Sequence, residues 1–198
     1  MRNQISKDCL IIDPGFDTDL IDAEIKKSGL NPIAILSTHG HFDHVAGVDY
    51  FKTKYNIPFY LHEKDKKICL SINFYLKIAR IDMTIRTPIP DILIKEKTQS
   101  ISIKSFNLII QNFPGHSDGS CIIQSENFLF TGDILYRNGL GAGSIPRENP
   151  SLLRRSILSI FKSYSDNAII LPGHGAPDYL GNIKNNNIEL KNYLTQIV

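Results

Sequence analysis

The residues best suited to metal chemistry lie in the segment Thr38–His44, which reads Thr-His-Gly-His-Phe-Asp-His. Three histidines and one aspartate fall within six positions of a chain that contains six histidines in all. Neutral imidazole and carboxylate groups are the ligands that zinc and similar cations prefer. Alternating side chains of an extended loop can aim His39 and His41 at one point, while Asp43 and His44 turn toward a second point. The segment therefore predicts a metal-binding loop.

Three further candidate ligands each follow a glycine that permits a tight turn. His116 occurs in Pro-Gly-His-Ser, His174 occurs in Pro-Gly-His-Gly, and Asp133 follows Thr-Gly after an apolar run. Each has the setting of a loop at the end of a strand. Four loops that supply ligands to one sheet edge would form a rigid metal site. Unrelated turn and core histidines would account for one such loop but not for four.

Apolar runs in the first half of the chain predict the strands that position these loops. In chain order, the predicted elements are strand 9–12, helix 17–28, strand 33–36, helix 44–54 and strand 57–61. This alternation is typical of a layered α/β domain. Residues 73–90 are interpreted as a helix followed by an extended loop, because Pro88 and Pro90 interrupt any regular pattern.

The second half of the chain is richer in strands. Short apolar runs separated by turns predict antiparallel pairs, at 92–94, 100–103, 106–111, 120–124 and 127–130. A helix begins at Pro150 with Asn149 as its cap. Strand 168–171 leads to His174, and a helix rich in Asn and Lys follows. We find no internal repeat or linker, so we expect a single domain over residues 1–198.

Composition excludes several classes of protein. The formal net charge of +2 is too small to indicate a nucleic acid or an anionic membrane as partner. No apolar run approaches membrane-spanning length, and the N-terminal residues have no signal-peptide character. The three cysteines form no Cys-x-x-Cys pair, so neither a disulfide framework nor a thiolate zinc site is supported. We expect Cys9 and Cys121 to be core residues, and the protein to be cytoplasmic.

The motifs together resemble those of a known family. With His-x-His-x-Asp-His at 39–44, Pro-Gly-His116, Thr-Gly-Asp133 and Pro-Gly-His174-Gly in this order, the sequence resembles the metallo-β-lactamase superfamily. Within it, the glyoxalase II-like (hydroxyacylglutathione hydrolase-like) group is the most similar. The resemblance runs from about Cys9 to the C-terminus. It implies a four-layer αβ/βα sandwich, in which two mixed sheets lie face to face and helices flank them.

The resemblance also implies a site for two divalent metal ions. The ligands would be His39, His41 and His116 for the first ion, Asp43, His44 and His174 for the second, and Asp133 as the bridge between them. Zinc is the expected metal, and iron and manganese also accept these ligands. A water shared by two such ions loses a proton near neutral pH and becomes a nucleophile. We expect Asp43 to be catalytic, either as a ligand or by orienting the hydroxide.

Two residues outside this ligand set have simpler explanations. Asp13, in Ile-Asp-Pro-Gly, matches a recurrent position of the family. We interpret it as a turn-former or as a buttress that supports a ligand. His62 ends a predicted strand, and we expect it to pack or to cap a helix rather than bind metal.

The sequence departs from the glyoxalase II pattern in three places. The C-terminal helical region that helps to hold glutathione is reduced to little more than one helix. The first Asp-Pro-Gly is preceded by fewer strands than in relatives, so we expect either a trimmed sheet or an earlier start. The glycine-rich segment 134–147 differs from the family's run, and we expect substrate selectivity there. Tyr136, Arg137 and Arg147 are candidate substrate contacts, with surface or packing roles as equal alternatives.

These residues favour a dinuclear metallohydrolase that cleaves a small-molecule thioester or related acyl ester with a metal-bridging hydroxide. A lactonase would use the same groups. The alternative is a mononuclear Fe(II) persulfide dioxygenase, whose relatives use counterparts of His39, His116 and Asp133. A ribonuclease is disfavoured because no strongly basic face is evident. A β-lactamase is disfavoured because Asp at position 133 follows the thioesterase-like pattern.

Overall fold

The fold is taken from a computed structural model, which describes residues 1–2, 5–141 and 148–195. Its α/β class, with two β-sheets flanked by helices, confirms the predicted fold class. The chain divides into two compact units. The first contains Met1–Lys95 and Ser102–Phe106, and the second contains Glu96–Ile101 and the chain from Asn107 onward. A single domain over residues 1–198 stays a prediction.

The first unit is built on a four-stranded sheet with the strand order β1-β2-β3-β4. Its elements are β1 (Asp8–Ile12), α1 (Thr18–Lys27), β2 (Asn31–Leu36), α2 (Phe42–Val45), α3 (Val48–Tyr55), β3 (Phe59–His62), a 3₁₀ helix (Glu63–Asp65), α4 (Lys66–Leu70), α5 (Ile72–Ile78) and β4 (Ile92–Ile94). We predicted a mixed sheet, but all three neighbouring strand pairs are parallel. The reason is that helices connect each strand to the next, and parallel strands need such crossovers.

Apolar side chains from these helices pack on the sheet of the first unit. Ile25 of α1, Phe51 of α3 and Leu76 of α5 form one buried cluster with Ile35 of β2. Burial of side chains of this size contributes about 1.5–3 kcal/mol each. The cluster fixes β2, so the loop that follows β2 starts from a rigid position.

The helix predicted at 44–54 is instead two helices, α2 and α3. The break falls at Gly47, whose amide donates to the carbonyl of Pro14 at 2.8 Å. A Cβ atom at position 47 would lie 2.7 Å from the carbonyl oxygen of Gly15. Only glycine permits this contact. The break therefore arises from the turn after β1, which helical periodicity does not reveal.

The second unit contains most of a six-stranded sheet with the order β10-β9-β8-β7-β6-β5. The elements from β5 onward are β5 (Thr98–Ile103), β6 (Phe106–Asn112), β7 (Cys121–Ser125), β8 (Phe128–Gly132), α6 (Pro150–Ser163), β9 (Ile169–Pro172), β10 (Asp178–Tyr179), α7 (Leu180–Asn186) and α8 (Ile188–Thr195). Strands β8 and β9 are parallel, whereas β6–β7, β7–β8 and β9–β10 are antiparallel, so this sheet is mixed as predicted.

The helices of the second unit cover this sheet with an apolar face. Helix α6 begins as predicted, with Pro150 in its first turn and the Asn149 side chain accepting from the Leu152 amide at 2.9 Å. Ile157 of α6 packs in one buried cluster with strands and with both C-terminal helices. Two helices, α7 and α8, thus follow the last ligand loop, where we predicted one. Across the described ranges, no helix combines the length and the apolar character needed to cross a membrane.

Candidate metal centre

The loop between β2 and α2 carries the predicted ligands of the first unit. His39, His41 and His44 are buried, and Asp43 is half-buried. The imidazole ring centre of His39 lies 4.7 Å from that of His41 and 4.1 Å from that of His44. Oδ2 of Asp43 lies 3.8 Å from Nε2 of His44. Within this unit, the four predicted ligands are therefore brought together.

The carboxylate of Asp13, the residue directly after the neighbouring strand β1, supports this loop. Oδ1 of Asp13 accepts from the Thr38 amide at 2.7 Å, and Oδ2 accepts from the Thr38 hydroxyl at 2.7 Å. Oδ2 also lies 3.1 Å from Nδ1 of His44. A carboxylate at this nitrogen favours the tautomer with the proton on Nδ1, which leaves Nε2 available to a metal ion. We predicted that Asp13 forms a turn or supports a ligand, and its contacts with Thr38 and His44 agree with a supporting role.

A second carboxylate, which we did not predict, supports the same loop from the β3 side. Asp65 is fully buried, and its Oδ2 accepts from the Gly40 amide at 2.9 Å. A Cβ atom at position 40 would lie 2.8 Å from the carbonyl oxygen of Asp65, so the residue between His39 and His41 must be small. The sequence signal for Asp65 is weak, because Glu-Lys-Asp-Lys reads as the exposed start of a helix.

The histidine at the end of β3 has a structural role. His62 is buried, and its Nδ1 accepts from the Lys64 amide at 3.3 Å, which caps the 3₁₀ helix. Burial lowers the pKa of this imidazole below its ordinary value. The prediction that His62 packs or caps is confirmed.

In the second unit, two predicted histidine ligands lie close to the predicted carboxylate ligand, Asp133. Asp133 follows β8 and His174 follows β9. Oδ2 of Asp133 lies 3.5 Å from Nε2 of His174 and 3.7 Å from Nε2 of His116. His116 and Asp133 are buried, whereas the His174 side chain is 54% exposed. One carboxylate oxygen between two imidazoles is an arrangement suited to a bridging ligand.

Glycines allow the close packing around His116. Nδ1 of His116 lies 2.8 Å from the carbonyl oxygen of Gly141, which therefore accepts the Nδ1 proton and leaves Nε2 on the Asp133 side. A Cβ atom at position 141 would overlap the carbonyl oxygen of Asp133. Gly115, directly before His116, has φ +143° and packs against the backbone of Leu153. Both positions exclude larger residues.

The predicted substrate contacts have different placements. The ring of Tyr136 lies 5.9 Å from the ring of His174, centre to centre. Nε of Arg137 lies 3.3 Å from Oδ2 of Asp178, so this arginine forms an ion pair on the surface. Arg147 lies outside the described residues. Contact of all three with substrate stays a prediction.

The donors within each unit suit divalent metal ions. The first unit offers three imidazoles and one carboxylate, and the second offers two imidazoles and one carboxylate. These side chains include groups that could hold a metal ion. Nitrogen and oxygen donors of this kind accept zinc, iron or manganese. In His44 and His116, Nδ1 faces an oxygen, so Nε2 is the nitrogen that would coordinate a metal ion.

Two relatives in sequence have names that describe hydrolases. The probable metallo-hydrolase YqgX of Bacillus subtilis is 35% identical over 171 residues, which cover 84% of this chain and 80% of the relative. Hydroxyacylglutathione hydrolase GloC of Haemophilus influenzae is 30% identical over 187 residues, which cover 91% of this chain and 86% of that protein.

Solved structures share the fold across almost the whole chain. The B3 metallo-β-lactamase BLEG-1 is 30% identical with a TM-score of 0.86, covering 99% of this chain and 92% of that one. A di-iron-bound form of TTHA1623 is 28% identical with a TM-score of 0.79, covering 89% of this chain and 87% of that one. The model of the metallo-β-lactamase superfamily matches residues 4–193. Because this match spans almost the whole chain, the chain belongs to the metallo-β-lactamase superfamily.

Proposed function

We propose that this superfamily member hydrolyses a small-molecule thioester or a related acyl ester, as glyoxalase II-like enzymes do. The observation that carries the proposal is the carboxylate of Asp133 between the imidazoles of His116 and His174. An aspartate that reaches two imidazoles fits a ligand shared by two ions. The 30% identity to a hydroxyacylglutathione hydrolase supports the thioester as substrate class.

We propose the ligand set that the family resemblance implies. It comprises His39, His41 and His116 for one ion, Asp43, His44 and His174 for the other, and Asp133 as the bridge. When bound, the two ions supply the acidity that makes water a nucleophile near neutral pH and the positive charge that stabilises a developing oxyanion. Zinc is our first choice of metal, and the di-iron form of a 28% identical protein keeps iron open as the alternative.

The chain's own residues support this reaction in three ways. The Asp13 carboxylate lies 3.1 Å from Nδ1 of His44 and favours a proton there, and the Gly141 carbonyl accepts from Nδ1 of His116, so both rings would present Nε2 to a metal ion. The Asp43 side chain is 30% exposed, so it can accept a hydrogen bond from an attacking water. A thiolate leaves without protonation because the pKa of a thiol is only about 8.5. The reaction therefore needs no strong general acid from the protein.

The decisive experiment combines metal analysis with a substrate panel of glutathione thioesters, lactones and glutathione persulfide. We expect close to two metal ions per chain and thioester hydrolysis without oxygen uptake. In Asp133→Ala and His41→Ala, turnover should fall to background while circular dichroism stays native. His62→Gln is the matched control, because His62 caps a helix and should leave the metal content unchanged.

Two outcomes would contradict the proposal. Oxygen uptake with persulfide, one iron per chain and no thioester turnover would identify a dioxygenase instead. Near-normal turnover in Asp133→Ala would remove the bridging carboxylate from the mechanism.

We also propose a reducing, cytoplasmic location, which fits three cysteines that are all buried and unbridged.

A further inference from the structure

A short turn after β8 carries Tyr136 next to His174. The turn spans residues 136–139 and is closed by the Tyr136 amide, which donates to the Gly139 carbonyl at 3.1 Å. Tyr136 is half-buried, and its ring makes an edge-on contact with the His174 ring at 5.9 Å. The turn belongs to the segment where we expect substrate selectivity. What holds this turn therefore bears on the shape of the site.

The residue that holds the turn is Asn187, which lies between the two C-terminal helices. Its side chain is buried, with 1% of the residue exposed. Nδ2 of Asn187 donates to the carbonyls of Tyr136 at 3.1 Å and of Gly139 at 2.9 Å. Both protons of one side-chain amide are thus used on one turn. The two carbonyls they bind stand at the start and at the end of the turn.

The other end of the same side chain caps helix α8. Oδ1 of Asn187 accepts from the Leu190 amide at 2.9 Å, which is the hydrogen bond of an N-cap. Helix α8 also approaches the turn directly, because a Cβ atom at Gly139 would lie 2.9 Å from Oε2 of Glu189. Asn187 therefore joins the start of the last helix to the turn that carries Tyr136.

We propose that Asn187 is a positioning residue, which fixes the 136–139 turn so that Tyr136 forms a wall beside His174 for the acyl part of the substrate. The substrate part of this proposal rests on the proposed function, whereas the positioning part does not. The inference gives the C-terminal helices a role in the site. It also explains why a polar side chain is buried at that position.

Capping and positioning can be separated because they use opposite ends of the amide. Asn187→Asp keeps an oxygen for the Leu190 amide, and aspartate is as good an N-cap as asparagine. It replaces the donor by an oxygen that faces two carbonyls, so the turn loses both hydrogen bonds. Asn187→Ser keeps a capping hydroxyl without the added charge and serves as the second variant. Asn186→Asp, at the exposed neighbouring position, is the matched control.

The position of Tyr136 can be read without any turnover. The chain has no tryptophan, so Tyr136→Trp introduces a single tryptophan, whose fluorescence can be excited selectively. We expect acrylamide quenching of this tryptophan to rise at least about twofold when Asn187→Asp or Asn187→Ser is added, because the ring is no longer held against its neighbours. Asn186→Asp should leave quenching unchanged. Equal quenching with and without both Asn187 variants, in folded protein, would overturn the proposal.

A double-mutant cycle tests the catalytic consequence. In otherwise wild-type protein, Asn187→Asp should raise KM for the preferred thioester about tenfold with kcat within about threefold, which is the pattern of lost uniform binding. Metal content should stay unchanged. In a Tyr136→Ala background the same change should have no further effect, because residues that act through one another are not additive. Additive effects would overturn the role of Asn187 through Tyr136.

The two arms distinguish failure of this proposal from failure of the proposed function. If no thioester is hydrolysed by wild-type protein, the proposed function fails, and the fluorescence arm still decides whether Asn187 positions Tyr136. If thioesters are hydrolysed but neither Asn187 variant changes the acrylamide quenching or KM, the hydrolase assignment stands and this inference is wrong.

Discussion

Replacing Asp13 by asparagine would test how the protein fixes the tautomer of His44. Oδ1 of Asp13 accepts from the Thr38 amide, and this contact requires an oxygen. The side-chain NH2 of the new asparagine must then occupy the place of Oδ2, 3.1 Å from Nδ1 of His44. A donor at that position opposes a proton on Nδ1. The ring would respond by moving its proton to Nε2, the nitrogen that we assign to the metal.

The size of the effect follows from the contacts that are lost. Loss of a partner that orients a metal-bound histidine typically costs about 10–100-fold in metal affinity or activity, which corresponds to roughly 1.4–2.7 kcal/mol. The stability change should be smaller, about 1 kcal/mol, because the asparagine still bonds Thr38 and loses only the charge of the acceptor. Asp13→Ala removes every contact and should also destabilise the fold by about 2–4 kcal/mol, since buried donors of Thr38 are left unsatisfied.

The assay is competition of the purified protein with a chromophoric chelator, combined with urea unfolding of the same samples. Asp19→Asn, on the exposed face of α1, is the control and should change neither quantity. The reasoning predicts a large loss of metal affinity with a small loss of stability in Asp13→Asn. Metal affinity of Asp13→Asn within about twofold of wild type would refute the tautomer argument. Equal losses of stability in Asp13→Asn and Asp13→Ala would indicate a purely structural role for Asp13.

Two further predictions concern stability. Gly115→Ala should destabilise the protein by at least about 2 kcal/mol in thermal unfolding, because the new Cβ would meet backbone atoms of α6 and φ at this position is +143°. Gly29→Ala is the control, since position 29 has positive φ but open space, and it should cost only about 1 kcal/mol. Equal losses of stability in the two variants would contradict the steric argument. Hydrogen bonds from Lys26 and Lys54 hold the pKa of Asp22 far below its ordinary value. The stabilising contribution of Asp22 is therefore present above its ordinary pKa and lost as the pH falls through the lowered pKa. Asp22→Asn should flatten the decline of the free energy of unfolding below about pH 4, as measured by urea unfolding. An unchanged decline in this variant would count against the network.

The candidate metal ligands could be singled out in the sequence because each follows a local pattern. An apolar run, a glycine and a histidine or aspartate recur at 116, 133 and 174, and the pattern needs no knowledge of distant contacts. The cap of α6 was predictable for the same reason, since Asn149 and Pro150 act within one turn. Features of this kind can be predicted because the residues that form them are adjacent in sequence.

The supporting residues were harder to predict because their partners are distant in sequence. Asp65 bonds Gly40, and Asn187 bonds the 136–139 turn, across separations of 25 and 48–51 positions. Both residues lie in polar stretches that read as exposed helix ends. The break of α2 and α3 at Gly47 was missed for the same reason, because its cause is the carbonyl of Pro14. Among these supports, Asp13 alone stood in a recognisable motif.

The interior place of β2 in its sheet has a kinetic consequence. The loop after β2 is held from both neighbouring strands, by Asp13 beyond β1 and by Asp65 beyond β3. Such a loop cannot swing open by itself, since opening would require both neighbours to release it. An ion held by its histidines would therefore escape either by rotation of single side chains or by unfolding of the first unit. The residence time of the ion would then be set by rotation of these side chains within the folded loop or by unfolding of the first unit, whichever is faster.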